Sequence, residues 1–282
     1  MPRLGAHISI LGGLHLALER GQSIGCETIQ VFTRNSNRWQ SKQRTPEELE
    51  LFRKTQGETG IHPVVAHAIY LINLASPDPT VRTRSNDAFR EELARCQEAD
   101  IPYLVLHPGS HRGSGLDRGI ARIAQGINAA YAEHPQYTVL TLLENTAGQG
   151  DTIGRTFEEL AQIAGRIQEP SRIGYCLDTA HALASGYELR TAEGYGETMQ
   201  ALENCFGAEM VKFFHLNDSK KELGSRIDRH EHIGKGAIGV EGFRNLLSDE
   251  RFKGLPMTLE TPKSDSLVED IENLQTLRAL LE

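Results

Sequence analysis

Short apolar runs alternate with longer segments of helical periodicity along this 282-residue chain. The apolar runs predict eight strands, which are Leu4–Ser9, Thr28–Thr33, Pro63–Ala68, Tyr103–His107, Thr138–Asn145, Ile173–Asp178, Val211–Asn217 and Met257–Thr261. Segments with the helical period lie between them and include Thr45–Gly57, Thr80–Ala99, Leu116–Ala132, Thr156–Gly165 and Thr191–Phe206. Eight alternations favour an α/β fold in which one parallel sheet closes into a (β/α)₈ barrel. A doubly wound open sheet is the alternative, although it usually has fewer strands in this length.

Two helix starts carry capping signals. Thr45-Pro46-Glu47-Glu48 combines a capping threonine, a proline at the first helical position and acidic residues in the first turn. Ser266, followed by Glu269 three residues later, predicts a similar capping box before the last helix. Because no linker or low-complexity tract interrupts the pattern, residues 1–282 are expected to form a single domain.

Six of the apolar runs end in a residue that can bind a metal. These residues are His67, His107, Glu144, Asp178, His215 and Glu260. In a closed parallel barrel the carboxyl ends of all strands meet at one mouth, where the chemistry of such folds is located. Any one of these residues alone is more often an ordinary buried or capping side chain. Three histidines and three carboxylates at successive strand ends predict a metal cluster.

Three further residues extend this set. His181 follows Asp178 by three residues, and Asp228 and His230 lie together in the long loop after the seventh predicted strand. Taken alone, either pair would indicate only a turn or a solvated loop. Nine ligands exceed the three or four that one zinc ion needs, so the set suits two or three ions that share a carboxylate. Imidazole and carboxylate without thiolate favour Zn²⁺, with Mn²⁺ or Fe²⁺ as alternatives.

Composition narrows the class of protein. The net charge of −8 argues against broad, charge-driven binding of nucleic acid, although bound cations would add positive charge at the mouth. The four cysteines form no CxxC pair, which indicates thiols in a reducing compartment. Neither a signal peptide nor a membrane-spanning run is evident. We expect a cytoplasmic protein, monomeric, with no membrane contact and no obligate protein partner.

A cluster of divalent ions predicts a class of reaction. Two ions about 3.5–4 Å apart can hold a bridging hydroxide and orient a phosphate for in-line attack. Phosphodiester hydrolysis is therefore the expected chemistry. In this interpretation Glu144 bridges two ions, and Glu260 both binds metal and steers the water. No Gly-rich phosphate loop or Ser-His-Asp arrangement competes with it.

The motifs around these residues strongly resemble the endonuclease IV family of apurinic/apyrimidinic endonucleases. The matching stretches, in order along nearly the whole chain, are residues 5–9, 32–35, 67–73, 107–111, 144–150, 176–181, 215–220, 228–231, 233–236 and 259–262. The resemblance implies a TIM-barrel DNA-repair hydrolase with three zinc ions. It implies cleavage of duplex DNA on the 5′ side of abasic sites, leaving a 3′-hydroxyl and a 5′-deoxyribose phosphate, and removal of blocked 3′ ends.

The resemblance also implies roles for individual residues. The three implied ligand sets are His67, His107 and Glu144; Glu144, Asp178, His215 and Glu260; and His181, Asp228 and His230. Tyr70 and Leu71 correspond to side chains that family members insert into the DNA stack. Family members commonly carry an arginine where this chain has Asn37. We expect Arg38 or Arg34 to supply that DNA contact instead.

Two other functions stay open at the level of sequence. A sugar isomerase or epimerase on the same barrel would also gather carboxylates and histidines around divalent ions. It would need about two ions, whereas the third set, His181, Asp228 and His230, would have no use there. A non-catalytic protein that binds damaged DNA is the second alternative. The nine-ligand set disfavours it, because binding alone does not require a cluster of ions.

Overall fold

A computed structural model describes all 282 residues, and its eight long strands form a closed parallel barrel. The strands are β1 Arg3–His7, β2 Thr28–Phe32, β3 Val64–His67, β4 Tyr103–Leu106, β5 Leu140–Glu144, β6 Ile173–Asp178, β7 Val211–His215, β8 Asp218–Ser219, β9 His230–Glu231 and β10 Pro256–Leu259. Around the barrel the order is β1-β10-β7-β6-β5-β4-β3-β2, and β8 and β9 form a separate antiparallel hairpin. The predicted TIM barrel is confirmed, and the open-sheet alternative is wrong.

Helices surround the barrel. They are α1 Leu14–Ser23, α2 Pro46–Thr59, α3 Pro79–Glu98, α4 Leu116–Glu133, α5 Phe157–Ala164, α6 Thr179–Ser185, α7 Ala192–Cys205, α8 Gly239–Leu247 and α9 Val268–Ala279. The main apolar core lies between these helices and the outer faces of the strands. A second cluster is formed by Val65, Val105, Leu142, Cys176 and Phe213, one residue from each of five adjacent strands. It fills the barrel interior below the mouth, as alternating side chains in a parallel barrel do.

The two predicted capping signals have different outcomes. Thr45 Oγ1 accepts the backbone N–H of Glu48 at 3.3 Å, and the Glu48 carboxylate accepts the N–H of Thr45 at 2.8 Å. The capping box before α2 is therefore confirmed. The box at Ser266 is wrong, because α9 begins after Leu267, which has a positive φ of 58°. Glu269 reaches back to Ser264 instead, whose N–H and hydroxyl it accepts.

Several strands end earlier than the apolar pattern predicts. β4 stops at Leu106 and β10 stops at Leu259, so His107 and Glu260 each lie one residue beyond the strand. Loop segments follow directly at both positions. These two side chains therefore project from the mouth itself. None of the helices combines the length and the hydropathy that a membrane-spanning helix needs.

Candidate metal centre

The local folding of β6 and the β8–β9 hairpin explains how four of the nine residues come together. Asp178 is the last residue of β6 and caps α6, because its Oδ1 accepts the N–H of His181 at 2.8 Å. One turn of helix then points the His181 ring back into the same mouth. In the hairpin His230 pairs with Ser219, which holds the segment containing Asp228 and His230 over the barrel. The nine residues that the sequence predicts as ligands all lie at this mouth.

Glu144 lies at the centre of the cluster. Its Oε2 is 3.2 Å from His67 Nε2 and 3.0 Å from His107 Nε2, and these three residues form one group of donors. Its other oxygen, Oε1, lies 3.0 Å from His215 Nδ1 and 3.3 Å from His181 Nδ1. Because the two oxygens face different histidines, Glu144 is placed to bridge two ions.

A second group of donors contains Glu144, Asp178, His215 and Glu260. Asp178 Oδ2 lies 3.7 Å from His215 Nδ1, and Glu260 Oε2 lies 3.5 Å from the same nitrogen. All ligand atoms of the group are within 4.8 Å of one another. Each bond from a zinc ion to a nitrogen or oxygen ligand is about 2.0–2.2 Å long, so two ligands of the same ion lie at most about 4.4 Å apart. The spacing in this group is close to that limit.

A third group contains Asp178, His181 and His230. Asp228 joins it, because its carboxylate lies 3.2 Å from His181 Nε2 and 3.3 Å from His230 Nε2. The sequence places Asp178 only in the second set. In the structure its Oδ2 also lies 3.6 Å from His230 Nε2, so Asp178 links the second and third groups as Glu144 links the first and second.

The carboxylates of Glu144 and Glu260 are held in their charged form. Burial raises the pKa of Glu144, but the imidazoles of His107 and His215 outweigh burial and bring its pKa well below the usual range. Glu260 follows the same pattern, because His215 and His7 more than offset the effect of burial on its pKa. These acids therefore stay ionised and need positive charge beside them.

The pKa values of His181 and His230 shift in the opposite direction. Burial lowers the pKa of His181, but Asp178 and Asp228 raise it well above its ordinary value. Burial likewise lowers the pKa of His230, and the same two carboxylates raise it to about 9. A cluster that pulls protons onto its histidines is one whose electrostatic potential attracts cations.

Hydrogen bonds orient three of the imidazoles toward the carboxylates. Each donates its Nδ1–H to a main-chain carbonyl: His67 to Ala68 O at 2.6 Å, His181 to Asn145 O at 3.0 Å and His230 to Glu260 O at 3.1 Å. Because carbonyl oxygens only accept, a proton sits on Nδ1 of each ring, and in the neutral ring the Nε2 lone pair faces a carboxylate oxygen. Two acceptors in contact need a proton or a cation between them. Imidazole and carboxylate donors so arranged fit divalent metal ions.

Further polar residues support the ligands. Asn217 donates to Asp178 Oδ2 at 2.7 Å and accepts the N–H of Glu260 at 2.7 Å. His7 Nδ1 lies 3.0 Å from Glu260 Oε1, and burial lowers the pKa of this histidine. Gln30 reaches the same carboxylate from β2. Sequence reasoning missed Gln30, whose signal is a lone polar side chain in an apolar strand.

The residues predicted to contact DNA occupy different positions. Tyr70 is 59% exposed on the rim, with its ring centroid 5.3 Å from that of His67. Leu71 is half-buried against the core, and Arg38 is exposed in the loop after β2. These three stay predictions.

Arg34 differs from its prediction. Its side chain has no exposed surface, and its guanidinium donates to Glu92 and Glu91, each at 2.7 Å. A cation neutralised inside the protein is not available to a DNA phosphate, so the prediction of a direct contact is wrong for this structure. No local sequence pattern indicates this pairing, because the two glutamates lie on α3, far along the chain.

Comparisons with known proteins agree with the barrel fold. The family model described as the xylose isomerase-like TIM barrel matches residues 18–280. The probable endonuclease 4 of Chloroflexus aurantiacus is 50% identical over 282 residues, which cover 100% of this chain and 99% of that protein. The crystal structure of endonuclease IV from Thermus thermophilus superposes with a TM-score of 0.88 at 35% identity, covering 99% of each chain.

A third match extends the comparison beyond nucleases. A D-tagatose 3-epimerase-like protein of known structure has a TM-score of 0.74 and 18% identity, covering 99% of this chain and 98% of its own. At that identity the likeness shows the fold alone. This chain shares half of its residues with a probable endonuclease 4 over almost the full length of both proteins, and its barrel superposes closely on a solved endonuclease IV. The chain therefore belongs to the endonuclease IV family.

Proposed function

We propose that this DNA-repair endonuclease hydrolyses duplex DNA on the 5′ side of abasic sites, leaving a 3′-hydroxyl and a 5′-deoxyribose phosphate, and that it also removes blocked 3′ ends. The observation that carries the proposal is the set of three donor groups at one mouth, joined by Glu144 and Asp178. A sugar epimerase has no evident use for the third group, in which His181 and His230 meet Asp228.

Three Zn²⁺ ions, one for each donor group, are the occupants that we propose. His67, His107 and Glu144 would hold the first ion, and His181, Asp228 and His230 the third. The second would lie among Glu144, Asp178, His215 and Glu260. Bound divalent ions would supply positive charge that offsets the negative charge developing on the phosphoryl group.

The two glutamates have different tasks in this proposal. Glu144 is fully buried between histidines, so it organises the ligands and does not reach the substrate. Glu260 keeps 11% of its side-chain surface exposed and faces a cleft of about 670 Å³ that Tyr70 and Lys263 also line. A charged, partly exposed carboxylate can accept a hydrogen bond from the attacking water and orient it toward the phosphate.

The cleft beside the metal centre suits an extruded abasic nucleotide. Its volume is within the usual range for ligand pockets, about 300–1,000 Å³. Tyr70 lies at its edge, and Leu71 lines a second cavity that Tyr70 also borders. The apolar surfaces of these two side chains can take the place of a base that has left the stack. Extrusion costs least where no base is paired, so the geometry favours abasic sites over intact duplex.

The test is a nicking assay on a duplex that contains one abasic site. We expect cleavage on its 5′ side, loss of cleavage with a chelator, and recovery when Zn²⁺ is restored. Glu144→Ala should abolish nicking, and Thr28→Val, on the inward face of β2 below the mouth, should not. Cleavage of undamaged duplex at the same rate, or epimerisation of a free sugar without nicking, would contradict the proposal.

A further inference from the structure

Gln30 lies within the metal cluster although β2 contributes no metal ligand. Its side chain is fully buried and points into the barrel mouth from that strand. Its Oε1 lies 2.8 Å from His215 Nε2, and its Nε2 lies 2.6 Å from Glu260 Oε1 and 2.9 Å from His7 Nδ1. One amide therefore touches two members of the second donor group at the same time.

The chemistry of the partners fixes the orientation of this amide. A carboxylate can only accept, so the Gln30 NH₂ must face Glu260 and its oxygen must face His215. An amide oxygen also only accepts, so the proton of His215 must sit on Nε2. The lone pair of His215 is then on Nδ1, the atom that faces Glu144, Asp178 and Glu260.

His215 differs in this respect from three other histidines of the cluster. His67, His181 and His230 each donate Nδ1–H to a main-chain carbonyl and turn Nε2 toward the carboxylates. In His215 the roles of the two ring nitrogens are exchanged: Nε2 donates to Gln30 and Nδ1 faces the carboxylates. The group that orients this ring is therefore a side chain. A substitution can therefore remove the orientation of His215, whereas no substitution removes a backbone carbonyl.

We propose that Gln30 is a positioning residue: it fixes the His215 tautomer and holds Glu260, and thereby strengthens ion binding at the second donor group. The inference rests on the proposed metal centre. Groups that orient a ligating histidine typically change metal affinity on the order of tenfold or more when they are removed. Gln30 need not touch the substrate for this effect.

The test compares zinc binding of the full-length protein and its variants by competition with a chromogenic chelator. Gln30→Met keeps the length of the side chain and removes both polar contacts. We expect one of the bound zinc ions to be weakened on the order of tenfold or more, with the others unchanged. Thr28→Val is the matched control, because Thr28 is buried two residues earlier on the same strand and contacts Pro63 rather than the cluster.

A spectroscopic measurement separates orientation from packing. In the zinc-loaded protein labelled with ¹⁵N-histidine, we expect a slowly exchanging proton on His215 Nε2, assigned by its loss in His215→Gln. The proton should exchange faster in Gln30→Met. In Gln30→Glu it should persist, because a carboxylate can still accept it, while zinc binding weakens because that carboxylate faces Glu260. Gln30→Glu therefore tests the contact with Glu260 by itself, and wild-type zinc affinity in this variant would overturn that part of the inference even if Gln30→Met does not fold.

Each other outcome is decisive. Wild-type zinc affinity in Gln30→Met, or equal loss in Gln30→Met and Thr28→Val, overturns the inference and leaves the proposed function intact. If the wild-type protein binds no zinc and still nicks abasic DNA, the inference falls while the hydrolytic activity stands. If it neither binds zinc nor nicks, both proposals fall together.

Discussion

At the scale of the residue, the metal centre depends on a few fully buried charges. Glu144 has no exposed surface and is in contact with four imidazoles, which explains why its carboxylate stays ionised so far from water. A charge buried in this way is stable only while its partners remain in place. We therefore expect substitutions at the centre to weaken metal binding more than they lower the free energy of unfolding. The apolar core that stabilises the barrel lies between the helices and the strands and below the mouth.

Glu144→Gln tests this expectation. The substitution keeps the shape of the side chain and removes the charge that two donor groups share. We expect total zinc content to fall by at least one ion and the nicking rate to fall on the order of 100-fold or more. Removing a residue that only orients a metal ligand already lowers activity by up to about 100-fold, and Glu144 is expected to be a ligand itself. Metal analysis and the nicking assay give the two values. Unchanged zinc content would show that Glu144 is not a ligand.

A second residue-scale prediction concerns pH and lies far from the mouth. Burial raises the pKa of Asp249, but hydrogen bonds from Arg251 and Tyr195 lower it below its ordinary value of 3.8. A carboxyl group whose pKa is lowered by folding stabilises the folded state fully at pH values above its ordinary pKa. This stabilisation is lost as the pH falls through the lower pKa of the folded state. Asp249→Asn should therefore cost about 1–2 kcal/mol near pH 6.

The difference in the free energy of unfolding between wild type and Asp249→Asn should shrink as pH falls below about 3.8. Urea titrations at several pH values measure it. A difference that stays constant with pH would show that the carboxylate charge is not responsible.

At the scale of the element, a buried aspartate organises the long loop after β7. The Asp218 carboxylate accepts the backbone N–H groups of Gly234 at 2.9 Å, Gly236 at 3.0 Å, Ile238 at 2.8 Å and Gly239 at 3.2 Å. The same residue begins β8, which pairs with the strand that carries His230. The loop and one ligand of the third donor group are therefore attached to one side chain.

Two glycine substitutions test this packing. A Cβ at Gly236 would lie 2.4 Å from Ser219 O and 2.5 Å from Asp218 Oδ1, so Gly236→Ala should destabilise the protein by about 2–3 kcal/mol through the lost hydrogen bonds. A methyl group added at Gly57 in α2 would meet no other atom within 4 Å. Gly57→Ala should therefore stabilise by about 0.5–1 kcal/mol. Thermal melts with opposite signs would confirm the pair.

Sequence patterns predicted elements and ligands to different degrees. Six of the nine predicted ligands followed from strand ends, because a parallel barrel brings every carboxyl end to one mouth. The other three, His181, Asp228 and His230, followed from their spacing in the segments after the strands. The position of Gln30 did not follow, because a glutamine inside an apolar strand matches no motif. The burial of Arg34 depends on Glu91 and Glu92, whose approach is set by how α3 packs, and local pattern carries no information about it.

At the scale of the whole molecule, charge sets how the protein meets DNA. The chain has a net charge of −8, which repels a polyanion, while the metal centre concentrates four carboxylates at the mouth. Three divalent ions would more than neutralise those carboxylates. Removal of the ions should therefore weaken the binding of abasic duplex as well as stop its cleavage.

Fluorescence anisotropy of a labelled abasic duplex, before and after chelation, measures that effect. We expect affinity to fall on the order of tenfold or more without metal, in line with the loss of local positive charge. Tyr70→Ala should also weaken binding, while zinc content stays at the wild-type value because Tyr70 is not a ligand. Binding that does not change on chelation would contradict the electrostatic argument.

The main-chain carbonyls that orient His67, His181 and His230 have a consequence for variation among related proteins. Side chains can diverge around these three rings without turning them, since every amino acid supplies the same C=O group. Relatives that prefer a different metal should therefore differ around His215, whose orientation a replaceable amide controls.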